Sequence, residues 1–428
     1  MNSENKEYDI YLNINPNYIL SKAIGLFPLS FFHKNVYYLK LKNTLEITSY
    51  DYLYVIIIMM LILGITSFLF ISTAIYDLKD IFSEAILFQI AVNVISALVT
   101  FYLAVTKLPK EIREVLHRLS EIDFVLNIQK DFYETNSKLV RNKMITFICA
   151  YIFLFILDLY DMIRGIMYVI FVSMMDYIIL IQFVTVMQFA TLVNFMKDRL
   201  QILNDCIESC NIWNQNSSEN VKLCQKLGII KVRNNTQSTK TSAIFERRII
   251  QIKDSGNSLI NQQKMHISFY RIVHESLCDI SSTINTIYGL QLLLFTISVF
   301  VEITINLNIQ IISLTNNAGF IQKMIQVLFA FAWTVFHISM LFVMAGSCHS
   351  IKGEANQSIV ILQRMLLIQE LPPDVSAEVQ LFLQQVINRK FIFTAWSFFD
   401  IDYKIFGSVV GAVTTLLVIF IQFNMQSN

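Results

Sequence analysis

The sequence predicts an all-α integral membrane protein of seven transmembrane helices, with its N-terminus cytoplasmic and its C-terminus extracellular. Three observations carry this. Of 428 residues, 55% are hydrophobic and only 15% charged, where a soluble domain has about 25% charged residues; mean hydropathy is +0.53. Apolar runs near the ~20 residues a helix needs to cross a bilayer recur along the chain. No Lys or Arg lies inside any of those runs.

The seven spans are Leu53–Ile75, Ala85–Val105, Met144–Tyr160, Met167–Phe195, Thr283–Asn306, Ile325–Ala345 and Ile405–Phe423. The third is short and the fourth long. With the N-terminus inside, thirty of the 33 basic residues fall in cytoplasmic segments; only Lys79, Arg164 and Lys323 fall outside. Length inflates that ratio, but "MKDRLQ", "KLPKEIR" and "RNK" sit at span ends, where the positive-inside rule applies. The organisation that follows is a cytoplasmic N-terminal segment 1–52, helices 1–4 over 53–195 with a cytoplasmic loop at 106–143, and a cytoplasmic loop with inner helix extensions at 196–282. Helices 5–6 occupy 283–345, a cytoplasmic segment 346–404, and helix 7 with a short extracellular tail 405–428.

Other features fit this frame. A formal net charge of +1 gives no electrostatic case for nucleic acid. The polar start "MNSENKEYDIYLNINPN" is no secretory signal peptide. No cysteine falls in an extracellular segment, so no disulfide framework is expected, and the sequons at Asn216, Asn234 and Asn356 are expected to be unglycosylated. The orientation is opposite to that of a G-protein-coupled receptor, and neither a DRY-like tripeptide after the third span nor an NPxxY in the seventh is present.

Three acidic residues lie within spans: Asp158, Asp176 and Glu302. Charges in the membrane are costly and are by default functional candidates. All three fall in the outer halves of helices 3, 4 and 5, which suggests a polar cavity open to the outside; Asp158 and Glu302 also fit an interfacial role near span ends. Helix 6 adds "FAFAWTVFH". Trp333 and His337 share a face one turn apart, and Gln326, seven residues earlier, lies close to that face. Aromatic surface with a few polar groups suits a small-molecule pocket. Packing between helices is the competing use of Trp333. The candidate ligand-binding set is Trp333, Gln326, Asp158, Asp176 and Tyr177.

The last span, "FGSVVGAVTTLLVIFIQF", is amphipathic within the membrane. At about 100° per residue, Gly407, Ser408, Gly411, Thr414, Thr415, Val418 and Gln422 share one arc. Phe406, Val409, Val410, Val413, Leu416, Leu417 and Phe420 lie opposite. Gly407 and Gly411 alone would fit close helix packing. An aqueous path about a symmetry axis accounts for the threonines and Gln422 as well, with Val418 and Ile419 as a hydrophobic constriction.

Segment "FTAWSFFDIDYKIFGSVVGAVTTLLVIFIQF" resembles the C-terminal signature of insect gustatory receptors, through Thr394, Ala395, Phe398, Phe399, Asp402, Thr415, Gln422 and Phe423. The signature's tyrosine is replaced by Leu416. "HESL" (His274–Leu277), Trp333, Phe336 and His337, and the pair Cys348–His349 resemble the fructose-type sugar-receptor subgroup. The resemblance implies a multi-pass plasma-membrane taste receptor: a homotetrameric, non-selective cation channel opened by a tastant such as fructose. Bitter or amino-acid tastants are alternatives. It further implies a pore lined by the last helix, a gate around Thr415, Ile419, Gln422 and Phe423, and a ligand pocket in the outer half of helices 2–6. A cytoplasmic anchor would include a short amphipathic helix, here "VSAEVQLFLQQVINRKFIF" (375–393).

Catalytic patterns are weak. "HESLC" lacks the second histidine of HExxH, and "CIESC" (Cys206, Cys210) has no nearby histidine to complete a metal site. No enzyme activity, metal or cofactor is expected; membrane lipid, a tastant and further copies of the chain are the expected partners. A secondary transporter, the remote alternative, would show Gly/Pro-broken helices in two matching halves. The polar loop 211–245 is expected to be disordered.

Overall fold

The computed structural model describes residues 20–22, 24, 26, 29–31, 45–47, 49–75, 81–126, 128, 130–160, 166–212, 259–315, 319–368 and 371–426. Among them nine helices run in chain order: α1 (Ser49–Ile75), α2 (Ile81–Thr106), α3 (Leu108–Val125), α4 (Lys130–Tyr160), α5 (Ile166–Ile212), α6 (Leu259–Thr315), α7 (Phe320–Ile368), α8 (Pro373–Asn388) and α9 (Lys404–Gln426). Two short antiparallel pairs accompany them: β1 (Leu29–Phe31) with β2 (Leu45–Ile47), and β3 (Thr394–Ala395) with β4 (Phe399–Asp400). Segments 86–106, 132–158, 172–209, 266–314 and 320–367 are long and apolar enough to cross a membrane. The described parts of α1 and α9 add shorter apolar stretches, Leu53–Ser67 and Lys404–Ile419.

The helices outrun the apolar windows. The short third span is the end of a 31-residue helix that begins inside the 106–143 loop. Helix α5 has 47 residues, α6 has 57 and α7 has 49. The connection expected over 307–324 shrinks to residues 316–319. Hydropathy marks where lipid contact would end. A helix continues past that point wherever neighbouring helices still cover its apolar stripe. Most of the 211–245 loop lies outside the described residues. The connection between α6 and α7 defines the upper end of the bundle, and α8 with the β3–β4 hairpin its lower end.

Helix α5 is the centre. Ile178, Ile181, Phe183, Val184, Phe189, Val193, Phe195 and Leu203 are all buried, packed chiefly against α6 and α7. Helix α4 lies outside it and turns Ile145, Ile152, Phe153 and Ile156 outward, the surface expected of a helix facing lipid.

Part of the N-terminal segment is built into this bundle. Ser21, Ile24 and Leu26 are buried. Gln188 Nε2 donates to Ser21 Oγ at 2.7 Å, and Tyr177 hydroxyl donates to the Ile24 carbonyl at 3.0 Å. Within the segment 1–52 of the sequence reading, Ser21 and Ile24 are bonded to α5. Their apolar run, "YILSKAIGLF", is too short to register as a span.

Below the apolar part of α5, a buried ion pair ties three helices together. Arg199 and Asp123 are 0% and 1% exposed. Arg199 Nε and Nη2 donate to the two Asp123 oxygens at 2.8 and 2.7 Å. Tyr133 hydroxyl donates to Asp123 Oδ2 at 2.6 Å, and Arg199 Nη1 to the Phe195 carbonyl at 3.1 Å. The guanidinium also sits over the ring of Phe195 at 5.4 Å. The bidentate geometry and added hydrogen bonds are what let a charge pair survive out of water.

At the lower end the short helix expected over 375–393 is α8, which starts earlier, at Pro373 within "LPPD", and stops at Asn388. It is fastened to α6 by the Arg271–Glu378 ion pair at 2.8 Å and by Gln385 Nε2 donating to the Arg271 carbonyl at 3.0 Å. The hairpin then packs across α6. Thr394 N donates to Asn285 Oδ1 at 2.7 Å, and a Cβ on Gly289 would meet Trp396 N at 3.2 Å and Thr394 O at 3.4 Å. A side chain there would crowd the hairpin backbone, which glycine avoids. The hairpin turn holds Trp396 and Ser397 at φ of 48° and 64°, a region that disfavours residues with a side chain. Thr394 Oγ1 accepts the Ser397 amide at 3.2 Å and so braces it. Asp402 then accepts the Lys404 amide at 2.9 Å, starting α9.

Candidate functional site

In the upper half of the bundle, polar groups from five helices meet an aromatic cluster. Trp333 on α7 is buried, and its Nε1 donates to Asp158 Oδ2 at the end of α4, at 3.2 Å. The ring edges onto Phe336 at 5.7 Å between centroids. Phe336 in turn contacts Tyr151 of α4 and Phe183 of α5. Tyr151 hydroxyl donates to the Asp176 carbonyl at 3.0 Å. The Asp176 carboxylate, 3% exposed, lies within electrostatic reach of both Asp158 and Glu302. Glu302 on α6 accepts from Asn93 Nδ2 of α2 at 2.6 Å, and Gln182 Nε2 donates to Asn93 Oδ1 at 3.3 Å.

His337 completes the group. Its Nδ1 lies 2.8 Å from the Trp333 carbonyl. A carbonyl only accepts, so Nδ1 carries the proton and Nε2 of the neutral ring is an acceptor. That Nε2 and Asp176 Oδ2 are buried with no hydrogen-bond partner. A buried polar group left unpaired costs several kcal/mol in hydrocarbon, so His337 Nε2 calls for a donor; the Asp176 carboxyl shares a side-chain hydrogen bond with Asp158 and leaves Oδ2 unfilled.

The structure thus brings together three of the five sequence-predicted ligand residues: Trp333, Asp158 and Asp176. Tyr177, the next residue along α5, points away and is bonded to Ile24. Gln326 is half-buried two turns above Trp333 and joins none of these hydrogen bonds. The sequence reading flagged Glu302 as an intramembrane acid without placing it in the ligand set, and missed Asn93, Gln182 and Tyr151. Asn93 and Gln182 are polar residues inside apolar runs, a signal that was available.

Helix α9 presents the second surface. Ile405 and Val413 are buried, and Phe406, Val409, Leu416 and Leu417 partly so. Gly407, Ser408, Gly411, Thr414, Thr415, Val418, Ile419 and Gln422 are exposed in the single chain. One residue departs from the helical-face expectation: Val410, assigned to the apolar side, is 64% exposed. No atom outside the helix lies within 4 Å of a Cβ placed on Gly407 or Gly411, so neither glycine serves close packing within this chain. Thr414 and Thr415 hydroxyls bond back to Val410 and Gly411 carbonyls at 2.8 and 2.9 Å, which satisfies them without a partner helix. The Phe423 side chain lies outside the described residues.

At the lower end, His274 and Cys278 stand one turn apart with Nδ1 and Sγ separated by 3.8 Å. Their other polar neighbours are Gln385 and the Arg389 carbonyl. The arrangement packs α6 against α8, with the His274 ring edge-on to Phe382 and Phe391. Cys206 is half-buried, and the Cys210 side chain lies outside the described residues.

Comparison with known proteins agrees with this architecture. Gustatory and pheromone receptor 32a of Drosophila melanogaster is 32% identical over 154 residues, which is 36% of this chain and 32% of that protein. The chain therefore spans about a third of the length of that curated relative. Among solved structures, the olfactory receptor OR5 of the insect Machilis hrabei superposes with a TM-score of 0.66 over 96% of this chain and 97% of that one, at 10% identity. The same receptor in complex with eugenol gives 0.65 at 11% identity, with the same coverage. At that identity the likeness speaks to the fold: a helical receptor built to the same plan from end to end. The family model described as 7tm Chemosensory receptor matches residues 14–427, nearly the whole chain, and the protein belongs to that family.

Proposed function

We propose that the protein is a gustatory receptor of the plasma membrane: a non-selective cation channel opened by a small-molecule tastant and formed by four copies of the chain. The observation that carries this is α9. A helix in a membrane that leaves threonines, glycines and Gln422 uncovered on one face, while burying Val413 on the other, needs water or another copy against that face. Symmetric assembly supplies both. In this reading the chain crosses the membrane seven times with its N-terminus inside. Thr415, Ile419, Gln422 and Phe423 line the pore and its gate, and the upper polar layer around Trp333 receives the ligand. The eugenol complex of the Machilis receptor is a precedent for a small-molecule ligand in this fold.

Fructose or a similar sugar is the first ligand suggested, through the Trp333 face and carboxylates able to accept from hydroxyls. A bitter or amino-acid ligand is the second reading, favoured by the three carboxylates gathered in one layer.

Cysteine accessibility tests the pore. Gln422→Cys is expected to react with a charged thiol reagent applied from outside and to change the current, whereas Val413→Cys is expected to be inert. Both are compared in a Cys149→Ser background, because Cys149 is exposed. Equal reactivity at 413 and 422 refutes the pore-facing assignment.

A further inference from the structure

We propose that the polar layer around Trp333 takes a protonated amine, its cationic nitrogen held between Asp176 and Glu302 and its apolar body against Trp333 and Tyr151. This deepens the receptor reading above and rests on it.

The first argument is charge. Asp176 shares a side-chain hydrogen bond with Asp158 and lies in the field of both Asp158 and Glu302. Among the described residues no Lys or Arg is ion-paired with either Asp176 or Glu302; the polar partner of Glu302 is the neutral amide of Asn93. Three acids in one buried layer still carry negative charge when one proton joins two of them, and a cation placed among them offsets that charge. The second argument is independent and concerns hydrogen-bond polarity. The two unfilled positions in the layer, Asp176 Oδ2 and His337 Nε2, are both acceptors, and both residues are at least nine-tenths buried. His337 also lies in the field of Glu302. What is missing is a donor, and an ammonium group brings donors and positive charge together. The third argument is the wall. Trp333 and Tyr151 present aromatic rings beside the carboxylates, and an aromatic face attracts a desolvated cation. The same rings suit the apolar body of an organic amine, and among the described residues no group of three or more His, Cys, Asp or Glu has the geometry of a metal site.

The test uses purified full-length protein in detergent and two probes of similar size: N,N-dimethylbenzylamine, protonated at neutral pH, and the neutral amide N-benzyl-N-methylformamide. The amine is expected to bind at least tenfold more tightly than the amide. Asp176→Asn and, separately, Glu302→Gln are expected to weaken amine binding at least tenfold and leave amide binding unchanged. Each ligand-free variant is expected to remain folded and monodisperse, since both substitutions keep a side chain of the same shape that can hydrogen-bond. Equal binding of the two probes, or amine binding that survives both substitutions, overturns the inference. So does absence of amine binding to a well-folded protein, including the case in which the carboxyl groups share protons and carry little charge. Recordings separate this from the channel reading. Unitary currents evoked by fructose without amine binding leave the channel standing and sink the amine site. Amine binding with no unitary current under any ligand does the reverse.

Discussion

Removing the Asp123 carboxylate should damage the protein more than any change at a surface ion pair. In Asp123→Ala the Arg199 guanidinium loses both of its carboxylate bonds while remaining fully buried, and the Tyr133 hydroxyl loses its acceptor. Breaking a buried pair from one side costs about 3–5 kcal/mol, most of it the uncompensated charge. The orphaned hydroxyl adds about 1 kcal/mol or more. For a chain of this size the loss corresponds to an apparent melting temperature lower by roughly 5 °C or more. The assay is thermal denaturation in detergent, followed by the monodisperse peak on size exclusion. Arg364→Ala, which opens the exposed Arg364–Glu208 contact at 3.4 Å, serves as the reference and should change stability by less than about 1 kcal/mol. The double variant Asp123→Ala/Arg199→Met removes both charges and should recover most of the loss. Two results refute the reasoning: Asp123→Ala melting with the reference variant, or a double variant no more stable than the single.

Trp333→Ala removes an indole that is both buried and bonded to Asp158, so it should raise the half-activating ligand concentration at least tenfold, as loss of an aromatic anchor worth ~2 kcal/mol implies. Trp333→Phe, which keeps a ring but no N–H, should retain part of the response at matched surface expression; an unchanged dose–response curve for both places the ligand elsewhere. Gly289→Ala should cost about 1–3 kcal/mol by pushing a methyl into the hairpin backbone, whereas Gly353→Ala, with no atom in reach of the new Cβ, should be neutral or stabilising in the same melting assay.

How much of this was readable in one dimension depended on the length of the signal. The two faces of α9 were legible because lipid makes every polar residue conspicuous and the helical period sorts them. Thr415 and Gln422 lie on the uncovered side and Val413 on the covered one, as counting at the helical period predicts. Trp333, Asp158 and Asp176 were legible as residue types out of place. Their convergence was not, since α4, α5 and α7 meet only after folding. Tyr177 shows the limit: it is adjacent to Asp176, but one step along a helix turns a side chain by about 100° and sends it to Ile24. Arg199 falls at a span end and Asp123 in the middle of the 106–143 loop, and nothing in composition marks either as buried. Helix α7 runs on past 345 to Ile368, and α5 and α6 run past the span ends at 195 and 283, where the sequence reading placed inner helix extensions. There the chain leaves the apolar window while its helix continues.

The length of α7 has a mechanical meaning. One unbroken rod carries Trp333 near one end of the bundle and, farther down, Phe342, Gly346, His349 and Lys352. Phe342 and His349 stack on Tyr403 at 5.5 and 4.7 Å, Phe342 also meets Phe406 at 6.0 Å, and Lys352 reaches Asp402 at 3.8 Å. Those partners start α9. From Trp333 to Gly346 is about 20 Å along the axis at ~1.5 Å per residue, so a rigid tilt of about 5° pivoting at the tryptophan sweeps the foot of the rod through nearly 2 Å. The foot is clamped to the start of α9, so any tilt of α7 about Trp333 would reach the root of the last helix through these side-chain contacts, with no loop between.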